Sequence, residues 1–453
     1  MTMTVQQRKI EPAQDAFREL RGPLTEDKAI VAASRCLECG REGNPAPCTV
    51  ACPTHIDIPR FIRQIYRGEP LASADTIFTA NVLGGSCARV CPVEELCEGS
   101  CVLVQEGRRA VEIGRLQRYA TDAAFAAEHQ SLSDRPAKRS RGHIGIIGAG
   151  PAGLACAAEL LRLGHQVTIY EARSQIGGLI PTAIAPYKQW TEPLPQEVAA
   201  LQRLGVQFKL GQAVGEGGLS WQQLEARHEA IFLGVGLGTD VLVSLPGADL
   251  KGIWPSLEFI EQLKSGNPPE LAGRWVAVIG GGNTAIDVAR EAVRLQASQV
   301  TVLYRRNEAA MPAYAHEVRE AKEEGVRFQW QTMPLRFLGA GQVSGIECRR
   351  TRLVPVPGDR PRPEPVEGSE FTARADVVIL AIGQRKRTEL LEQLPGLHLK
   401  RGLLQTDERG YASGKYYAGG DCLTGGATVV EAVAQGKRAA QAIHQDIERG
   451  LLS

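Results

Sequence analysis

The order of apolar and polar stretches along the chain predicts a strand–turn–helix–strand pattern that occurs twice. From His143 the sequence reads HIGII, GAGPAG, LACAAELLRLG and HQVTIYE, so a short apolar run, a glycine turn, an amphipathic run and a second apolar run follow one another. The same order returns about 130 residues later as RWVAVI, GGGNTA, IDVAREAVRL and SQVTVLYRR. Because this is the order of a βαβ unit, the pattern predicts an internal duplication of that unit.

The first 140 residues follow a different pattern. Segments such as IPRFIRQIYRG and AVEIGRLQRYATDAAFAAEH have apolar residues at helical spacing, and no run of β-branched residues lies between them. The polar and basic stretch SLSDRPAKRSRG then predicts a linker. We therefore expect a helical N-terminal domain that ends near Arg141.

Three segments toward the C-terminus complete the prediction of secondary structure. The proline-rich VPVPGDRPRPEPVEG predicts an exposed loop between strands, and ADVVILAIGQ predicts an apolar strand. The last, YYAGGDCLTGGATVVEAVAQGKRAAQAI, predicts a glycine turn that leads into a helix.

Composition narrows the class of protein. A chain of 453 residues with 43% hydrophobic and 23% charged residues is an ordinary globular protein of about three domains. Its net charge of +1 does not favour binding to nucleic acid or to an anionic membrane. The most apolar stretch, 145–161, contains Glu159 and is too short for a bilayer span, and MTMTVQQRKIEP lacks a signal-peptide pattern. We expect a cytoplasmic protein.

The first βαβ unit carries a dinucleotide-binding loop. Gly148, Gly150 and Gly153 form GxGxxG between a strand and a helix, where glycines allow a tight turn, the approach of a diphosphate and close packing of the helix. Glu171 ends the second strand, where an acidic side chain binds ribose hydroxyls. This context predicts a nucleotide site rather than an unrelated glycine turn.

The second βαβ unit carries a variant of the same loop. Its cofactor-binding candidates are the glycines of GxGxxA, the two residues that follow them and two arginines at the position that matches Glu171: Gly280, Gly282, Asn283, Thr284, Arg305 and Arg306. Paired arginines can bind a 2′-phosphate, which an acid would repel, so they favour NADPH over NADH. The alternative interpretation is that both arginines are solvated surface charges.

Two different nucleotide loops in one chain suggest FAD and a nicotinamide cofactor. With Gly419-Gly420-Asp421, the chain resembles the pyridine-nucleotide–disulfide oxidoreductase superfamily. The resemblance implies that Gly420 and Asp421 complete the flavin site and that a helix beginning near Thr428 points at the flavin. The close cysteine pair of the disulfide reductases is missing, and Cys156 and Cys422 are interpreted as core residues.

Eight of the eleven cysteines lie between Cys36 and Cys101, and their spacing indicates metal binding. The order is Cys-x2-Cys-x8-Cys-x3-Cys-Pro, followed by Cys-x3-Cys-Pro-x4-Cys-x3-Cys. Short spacings of this kind, with proline after a cysteine, are typical of iron–sulfur clusters. Two zinc ions are the alternative, although zinc sites more often repeat C-x2-C, which occurs once here.

The motifs RCLECG, PCTVACPTHIDIPRFIRQIYRG, CARVCPVEELCEGSC and EIGRLQRYATD resemble one family in particular. It contains the small subunit of glutamate synthase and the corresponding part of dihydropyrimidine dehydrogenase, and the similarity covers essentially the whole chain. The resemblance implies two [4Fe–4S] clusters with crossed ligation. One set is Cys36, Cys39, Cys48 and Cys101, the other is Cys52, Cys91, Cys97 and Gln117, and Cys87 is not a ligand.

The resulting prediction is an α/β protein with two Rossmann-like domains behind an α-helical iron–sulfur domain. We expect the iron–sulfur domain at 1–140, a discontinuous FAD-binding domain at 141–255 and 375–453, and an NAD(P)H-binding domain at 256–374. The predicted function is an FAD-dependent NAD(P)H oxidoreductase that passes single electrons through its clusters. No side chain is expected to act as an acid or base.

The electron acceptor is predicted to be a separate catalytic subunit, so the protein is expected to be a hetero-oligomer. The predicted partner contains FMN or iron–sulfur and is of the dihydropyrimidine dehydrogenase type, which EIGRLQR with Gln117 resembles. The alternative is glutamate synthase, whose small subunit the arginine pair resembles. A ferredoxin-linked transhydrogenase subunit is a further alternative. A non-catalytic redox adaptor is the alternative from another class, but it should have lost the loop glycines or Asp421.

Overall fold

The structure is a computed structural model, which describes residues 16–40, 43–130, 142–215 and 217–452. The chain forms two compact units. The larger unit consists of Leu20–Pro181, Thr191–Leu237 and the chain from Lys386 onward. The smaller unit consists of Thr182–Trp190, Gly238–Arg385 and the described residues up to Glu19.

The elements are numbered along the described chain. The helices are α1 (Glu26–Ala33), α2 (Pro47–Ala51), α3 (Ile58–Tyr66), α4 (Pro70–Ala80), α5 (Gly84–Val90), α6 (Val102–Gln105), α7 (Ile113–Ala126), α8 (Pro151–Arg162), α9 (Ile180–Ala183), α10 (Leu194–Leu204), α11 (Trp221–Arg227), α12 (Ser256–Lys264), α13 (Asn283–Arg294), α14 (Ala315–Glu323), α15 (Thr388–Leu391), α16 (Asp421–Thr424) and α17 (Val429–Glu448). The strands are β1 (His143–Ile147), β2 (Gln166–Tyr170), β3 (Gln207–Lys209), β4 (Ala230–Leu233), β5 (Ile253–Pro255), β6 (Trp275–Gly280), β7 (Gln299–Leu303), β8 (Arg327–Gln329), β9 (Thr332–Gly339), β10 (Val343–Val356), β11 (Asp359–Pro365), β12 (Phe371–Arg374), β13 (Val377–Ala381), β14 (Leu399–Lys400), β15 (Leu403–Leu404), β16 (Tyr411–Ser413) and β17 (Tyr416–Ala418).

The N-terminal part of the larger unit is helical, as predicted. Helix α3 buries Phe61, Ile62 and Ile65, which lie on one face at i, i+1 and i+4. Asp57 begins this helix, because its side chain accepts a hydrogen bond from the backbone N–H of Arg60 at 3.2 Å. Among the described residues, no helix has both the length and the apolar character needed to cross a membrane.

The larger unit also contains a Rossmann-like sheet in the order β16-β17-β4-β1-β2-β3. Strand β1 pairs in parallel with β2 and with β4, and α8 connects β1 to β2. Helix α17 packs against α8 at Gly436, where a Cβ atom would clash with the carbonyl oxygen of Ala152. The first predicted βαβ unit is therefore confirmed.

The smaller unit contains a five-stranded parallel sheet in the order β5-β13-β6-β7-β8. Helix α13 connects β6 to β7, which confirms the second predicted βαβ unit. The apolar strand predicted from ADVVILAIGQ is β13, whose five residues are all buried. Val278, Ile286 and Val302 belong to the core that joins this sheet to α13.

The prediction of a proline-rich loop is wrong, because that segment forms a β-hairpin. Strands β10 and β11 pair antiparallel, and β11 lies at the edge of the sheet β11-β10-β12. Its prolines, Pro361, Pro363 and Pro365, occupy every second position. Val366 belongs to the other alternating set of positions and donates its N–H to the carbonyl oxygen of Arg350 on β10. Alternate prolines on an edge strand turn their missing N–H groups away from the partner, so the pairing survives. We name β10, β11 and their turn the proline hairpin.

The segment Thr182–Trp190 packs in the smaller unit through a network of buried polar groups. The ring of Tyr187 is fully buried, and its hydroxyl donates to Asp287 Oδ1 at 2.6 Å. The ammonium group of Lys188 lies 2.8 Å from Asp287 and 2.7 Å from Glu317. Lys264 Nζ donates to two backbone carbonyl groups of the segment. The segment is thus held by side chains of α12, α13 and α14.

Replacing Lys188 with methionine is expected to lower the free energy of unfolding of the smaller unit by about 3–5 kcal/mol, because Asp287 and Glu317 would lose their cation in a buried position. Lys322→Met is the matched control. Its pair with Glu308 is exposed, so we expect a loss below about 1 kcal/mol. Urea unfolding followed by circular dichroism measures both values, and equal losses would contradict the role of Lys188.

Candidate functional site

The glycine loop after β1 combines two crowded positions with one open position. Gly148 has φ +100°, and a Cβ atom there would clash with the carbonyl oxygen of Gly234. A Cβ atom at Gly153 would clash with the carbonyl oxygen of Gly148. At Gly150 the nearest atom to an added Cβ is the Cα of Gly178, at 3.8 Å. Space therefore remains beside the N-terminus of α8, where a diphosphate binds in this type of loop.

Glu171 lies next to this loop, directly after β2. Its carboxylate accepts hydrogen bonds from the backbone N–H of Ala149 at 2.8 Å and from that of Arg173 at 2.8 Å. These bonds fix the carboxylate beside the glycine turn. A carboxylate in this position suits the hydroxyl groups of an adenosine ribose.

The C-terminal glycine turn of the same unit begins at Gly420, which has φ +85°. Burial raises the pKa of Asp421, and its carboxylate accepts from the backbone N–H of Ala427 at 3.1 Å. Thr428 is the N-cap of α17 and forms a capping box with Glu431. An added Cβ at Gly420 would lie 3.1 Å from the Cβ of Ala152, so this turn packs against α8 beside the first glycine loop.

The sequence prediction missed Gln435 as a part of this turn. The side-chain oxygen of Gln435 accepts a hydrogen bond from the backbone N–H of Gly420 at 2.6 Å. Gln435 lies two turns into α17, and no local motif marks a glutamine at that distance from a glycine turn. The bond links the conformation of the turn to the helix that follows it.

The second glycine loop has the same division into crowded and open positions. A Cβ atom at Gly280, where φ is +149°, would clash with the carbonyl oxygen of Ala381. At Gly282 an added Cβ meets no atom within 4 Å. Asn283 and Thr284 form the first turn of α13, and Asn283 Oδ1 accepts from the backbone N–H of Tyr314 at 2.9 Å. Asn283 therefore holds a neighbouring loop in place, a role that sequence analysis did not predict.

The two predicted arginines follow β7 and differ in environment. Arg305 is exposed, and its backbone carbonyl accepts from Thr351 Oγ1 at 2.8 Å. Arg306 is half-buried, and its Nε donates to the carbonyl oxygen of Pro361 in the proline hairpin at 2.8 Å. The pair therefore joins the end of β7 to both strands of the hairpin.

Four of the predicted cluster ligands converge on one cavity. This cavity is lined by the thiol-bearing residues Cys36, Cys39, Cys48 and Cys101, together with apolar side chains that include those of Ile58 and Ile62. Burial and the neighbouring Cys36 raise the pKa of the Cys48 thiol to about 12. Thiolates that repel one another in an apolar cavity favour a cationic centre among them, so the donor set fits an iron–sulfur cluster.

The three cysteines of the second predicted ligand set, Cys52, Cys91 and Cys97, also lie together, with Cys87 beside them. The pKa of Cys91 is raised first by the hydrogen bond that its thiol donates to Cys87 and then by burial, and the charges of Cys97 and Cys52 act in the same direction. Gln117 is buried, and its Nε2 donates to the carbonyl oxygen of Gly84 at 2.7 Å. Cys87 thus lies beside Cys91. Gln117 is bonded to the first residue of α5, the helix that leads to Cys91.

No group of three Cys, His, Asp or Glu side chains forms a single-ion metal site in the part of the chain that the structure describes. In a [4Fe–4S] cluster each protein ligand binds a different iron atom.

Comparison with known proteins assigns both parts of the chain. Residues 13–129 match a domain described as dihydropyrimidine dehydrogenase domain II, 4Fe-4S cluster. Residues 142–436 match the pyridine nucleotide-disulphide oxidoreductase family, and this match covers more than half of the chain. The chain belongs to the pyridine nucleotide-disulphide oxidoreductase family. The predicted enzyme class, an FAD-dependent NAD(P)H oxidoreductase, is confirmed by this membership.

Relatives within the family agree with the predicted resemblance. The glutamate synthase [NADPH] small chain of Halomonas elongata is 36% identical over 443 residues, with 94% of this chain and 92% of that protein covered. The NAD-dependent dihydropyrimidine dehydrogenase subunit PreT of Escherichia coli is 33% identical over 438 residues, with 96% and 98% covered. The predicted family is therefore confirmed for nearly the whole length of this oxidoreductase.

A solved structure supports the fold class. FprA from Mycobacterium tuberculosis, solved in complex with NADPH, superposes with a TM-score of 0.58 at 19% identity and covers 69% of this chain and 86% of that one. Together with the two Rossmann-like sheets, this similarity confirms the predicted α/β fold of an oxidoreductase in this family.

Proposed function

We propose that this chain is the electron-input subunit of a multi-subunit cytoplasmic oxidoreductase and that it oxidises NADPH. The observation that carries the proposal is the presence of two complete dinucleotide loops in the same chain as a cavity lined by four cysteines. A nucleotide-binding protein without electron transfer would not need those thiols. An iron–sulfur protein without hydride chemistry would not need two loops.

The chain's own residues would hold the cofactors in defined places. Glu171 and the loop around Gly150 would bind the adenosine diphosphate part of FAD, and Asp421 and the N-terminus of α17 would bind its ribityl chain and ring. When bound, FAD would accept a hydride from NADPH, and two iron–sulfur clusters would accept single electrons. The role of the protein is to bind and orient these groups and to exclude water.

The preference for NADPH rests on Arg305 and Arg306. The loop before them, with Gly282 open, admits the diphosphate of a dinucleotide. Guanidinium groups bind a phosphate by charge-assisted hydrogen bonds, whereas the ribose hydroxyls of NADH require an acid.

Two partner types remain as candidates, and different residues favour each. Gln117, which resembles the fourth ligand of the dihydropyrimidine dehydrogenase type, is the reason we propose a pyrimidine-reducing partner subunit. The arginine pair favours the glutamate synthase type, in which the H. elongata relative is described as NADPH-dependent. Co-purification with the product of the neighbouring gene, followed by assays with uracil and with 2-oxoglutarate plus glutamine, separates the two.

The first test is an anaerobic titration of the purified chain with NADPH and with NADH. We expect the flavin absorbance to bleach at low NADPH, followed by broad bleaching of the iron–sulfur absorbance. In the Arg305→Ala variant, the concentration of NADPH needed for half of the flavin bleaching should rise about tenfold or more, because one charge-assisted contact is lost. The concentration of NADH needed for the same bleaching should change little. Equal changes for both nucleotides would contradict the phosphate assignment.

The same titration tests the adaptor alternative. If neither nucleotide changes the flavin absorbance, a redox adaptor without NAD(P)H oxidation becomes the better interpretation. Reduction of an artificial acceptor such as ferricyanide gives an independent measurement, because it does not require the partner subunit.

A further inference from the structure

A cleft of about 660 Å³ lies between the turn that follows Arg306 and the tip of the proline hairpin. The residues that line it come from two segments, one beginning at Asn307 and one at the turn of the hairpin. They are Asn307, Ala309, Ala310, Gly358, Asp359, Arg360 and Pro361. The hairpin was not expected from the sequence, and neither the family match nor the relatives assign a role to its tip.

Two hydrogen bonds hold the hairpin in this position. Arg306 Nε donates to the carbonyl oxygen of Pro361, which follows the tip on β11. Thr351 Oγ1, on β10, donates to the carbonyl oxygen of Arg305. Gly358 has φ +71°, which permits the tight turn between the two strands. The tip therefore belongs to a fixed wall of the cleft.

The location of the cleft identifies the part of a nucleotide that would reach it. In a Rossmann fold the residue after the second strand contacts the 2′ position of the adenosine ribose. Here the second strand is β7, which Tyr304 follows directly, and the pair Arg305 and Arg306 comes next, immediately before Asn307 at the edge of the cleft. A group attached to the 2′ oxygen would point toward this cleft.

We propose that Arg360 is a specificity-determining residue that binds the 2′-phosphate of NADPH together with Arg305. This inference rests on the proposed function, because it needs a dinucleotide on the second glycine loop. Both residues are exposed. Arg360 lines the cleft, and Arg305 lies two residues before Asn307, where the opposite wall begins, so a phosphate near this opening could accept charge-assisted hydrogen bonds from each guanidinium group. The hairpin would then contribute to selection of NADPH over NADH.

One acidic residue, Asp359, also lines the cleft. Asp359 precedes Arg360, and its Oδ1 accepts a hydrogen bond from the backbone N–H of Arg360 at 2.7 Å. The carboxylate is thus bound to its own turn, and its charge weakens the attraction for a phosphate without blocking it. Asp359→Asn is expected to strengthen binding of a 2′-phosphate about two- to threefold by removing that repulsion.

The test uses ligands that lack nicotinamide, so the readout does not depend on catalysis. Isothermal titration calorimetry on the purified full chain measures the dissociation constants of 2′,5′-ADP and of 5′-AMP, which differ by the 2′-phosphate. We compare the wild type with Arg360→Ala, Arg305→Ala and Arg362→Ala. Arg362 is the matched control, because it is an exposed arginine of the same strand that pairs with Glu364 and does not line the cleft.

We expect Arg360→Ala to raise the dissociation constant of 2′,5′-ADP about tenfold and to leave that of 5′-AMP unchanged. Arg362→Ala should leave both dissociation constants close to those of the wild type. If Arg360→Ala binds 2′,5′-ADP as tightly as the wild type while Arg305→Ala no longer binds it, the role of Arg360 is overturned and the proposed NADPH site stands. An equal loss in Arg360→Ala and Arg362→Ala would reduce the effect to general surface charge and also overturn it. If the wild type does not distinguish the two ligands, the proposed preference for NADPH fails as well.

Discussion

Gly150→Ala is expected to yield a folded protein that has lost most of its FAD. Gly150 has φ −79° and ψ −179°, which alanine adopts without strain, and the nearest atom to an added Cβ is 3.8 Å away. The methyl group would instead occupy the space through which a diphosphate approaches the loop. The affinity for FAD should fall about tenfold or more, measured as flavin absorbance per chain after purification.

Gly153→Ala is the contrasting variant. Its methyl group would clash with the carbonyl oxygen of Gly148, which is a backbone atom that cannot move without distorting β1 and α8. We expect the free energy of unfolding to fall by about 3 kcal/mol or more even without flavin. Thermal unfolding should be compared on flavin-free proteins, because bound FAD stabilises the folded state by mass action. Full retention of FAD by Gly150→Ala would refute the location of the diphosphate.

The second large effect is expected from the cysteine cavity. Cys48→Ala should remove one of the two proposed [4Fe–4S] clusters, because the cavity would keep only three thiols, from Cys36, Cys39 and Cys101. Iron and acid-labile sulfide per chain should fall by about half, with flavin retained. Reduction of ferricyanide by NADPH should persist, whereas electron transfer to the partner subunit should be lost.

Cys87→Ala and Gln117→Leu are the matched pair for the second cluster. Cys87 is predicted not to be a ligand, so its variant should keep the full iron content, whereas Gln117→Leu should lose iron or change the electron paramagnetic resonance spectrum of the reduced protein. The structure places Cys87 in contact with Cys91, which makes the comparison informative. Iron loss in Cys87→Ala alone would exchange the roles of the two residues.

Local patterns in the sequence predicted the two βαβ units and their glycine turns well, because their physical requirements are local. The turn at Gly148 and the packing of α8 depend largely on residues close together in the chain. A strand–glycine–helix pattern in the sequence is therefore enough to predict them. The helical N-terminal part was predictable for the same reason, since α3 shows its buried face in its own spacing.

What depends on distant residues was not predicted. The proline hairpin was interpreted as a loop because proline usually ends a strand, and only the edge position of β11 makes alternate prolines acceptable. Gln435 and Asn283 make bonds whose partners are far along the chain or on the backbone of another loop. The ligand sets and the domain boundaries at 140, 255 and 374 remain predictions.

The membership of Thr182–Trp190 in the smaller unit has a consequence for protein engineering. The chain passes from one unit to the other at 19/20, 181/182, 190/191, 237/238 and 385/386. Neither unit can therefore be expressed as an intact fragment by trimming the ends of the gene. A fragment that ends near 237 would carry Tyr187 and Lys188 without Asp287. The side chain of Tyr187, which is buried in the full chain, would then be exposed to solvent, as would that of Lys188. Dissection of this enzyme requires circular permutation or co-expressed halves rather than truncation.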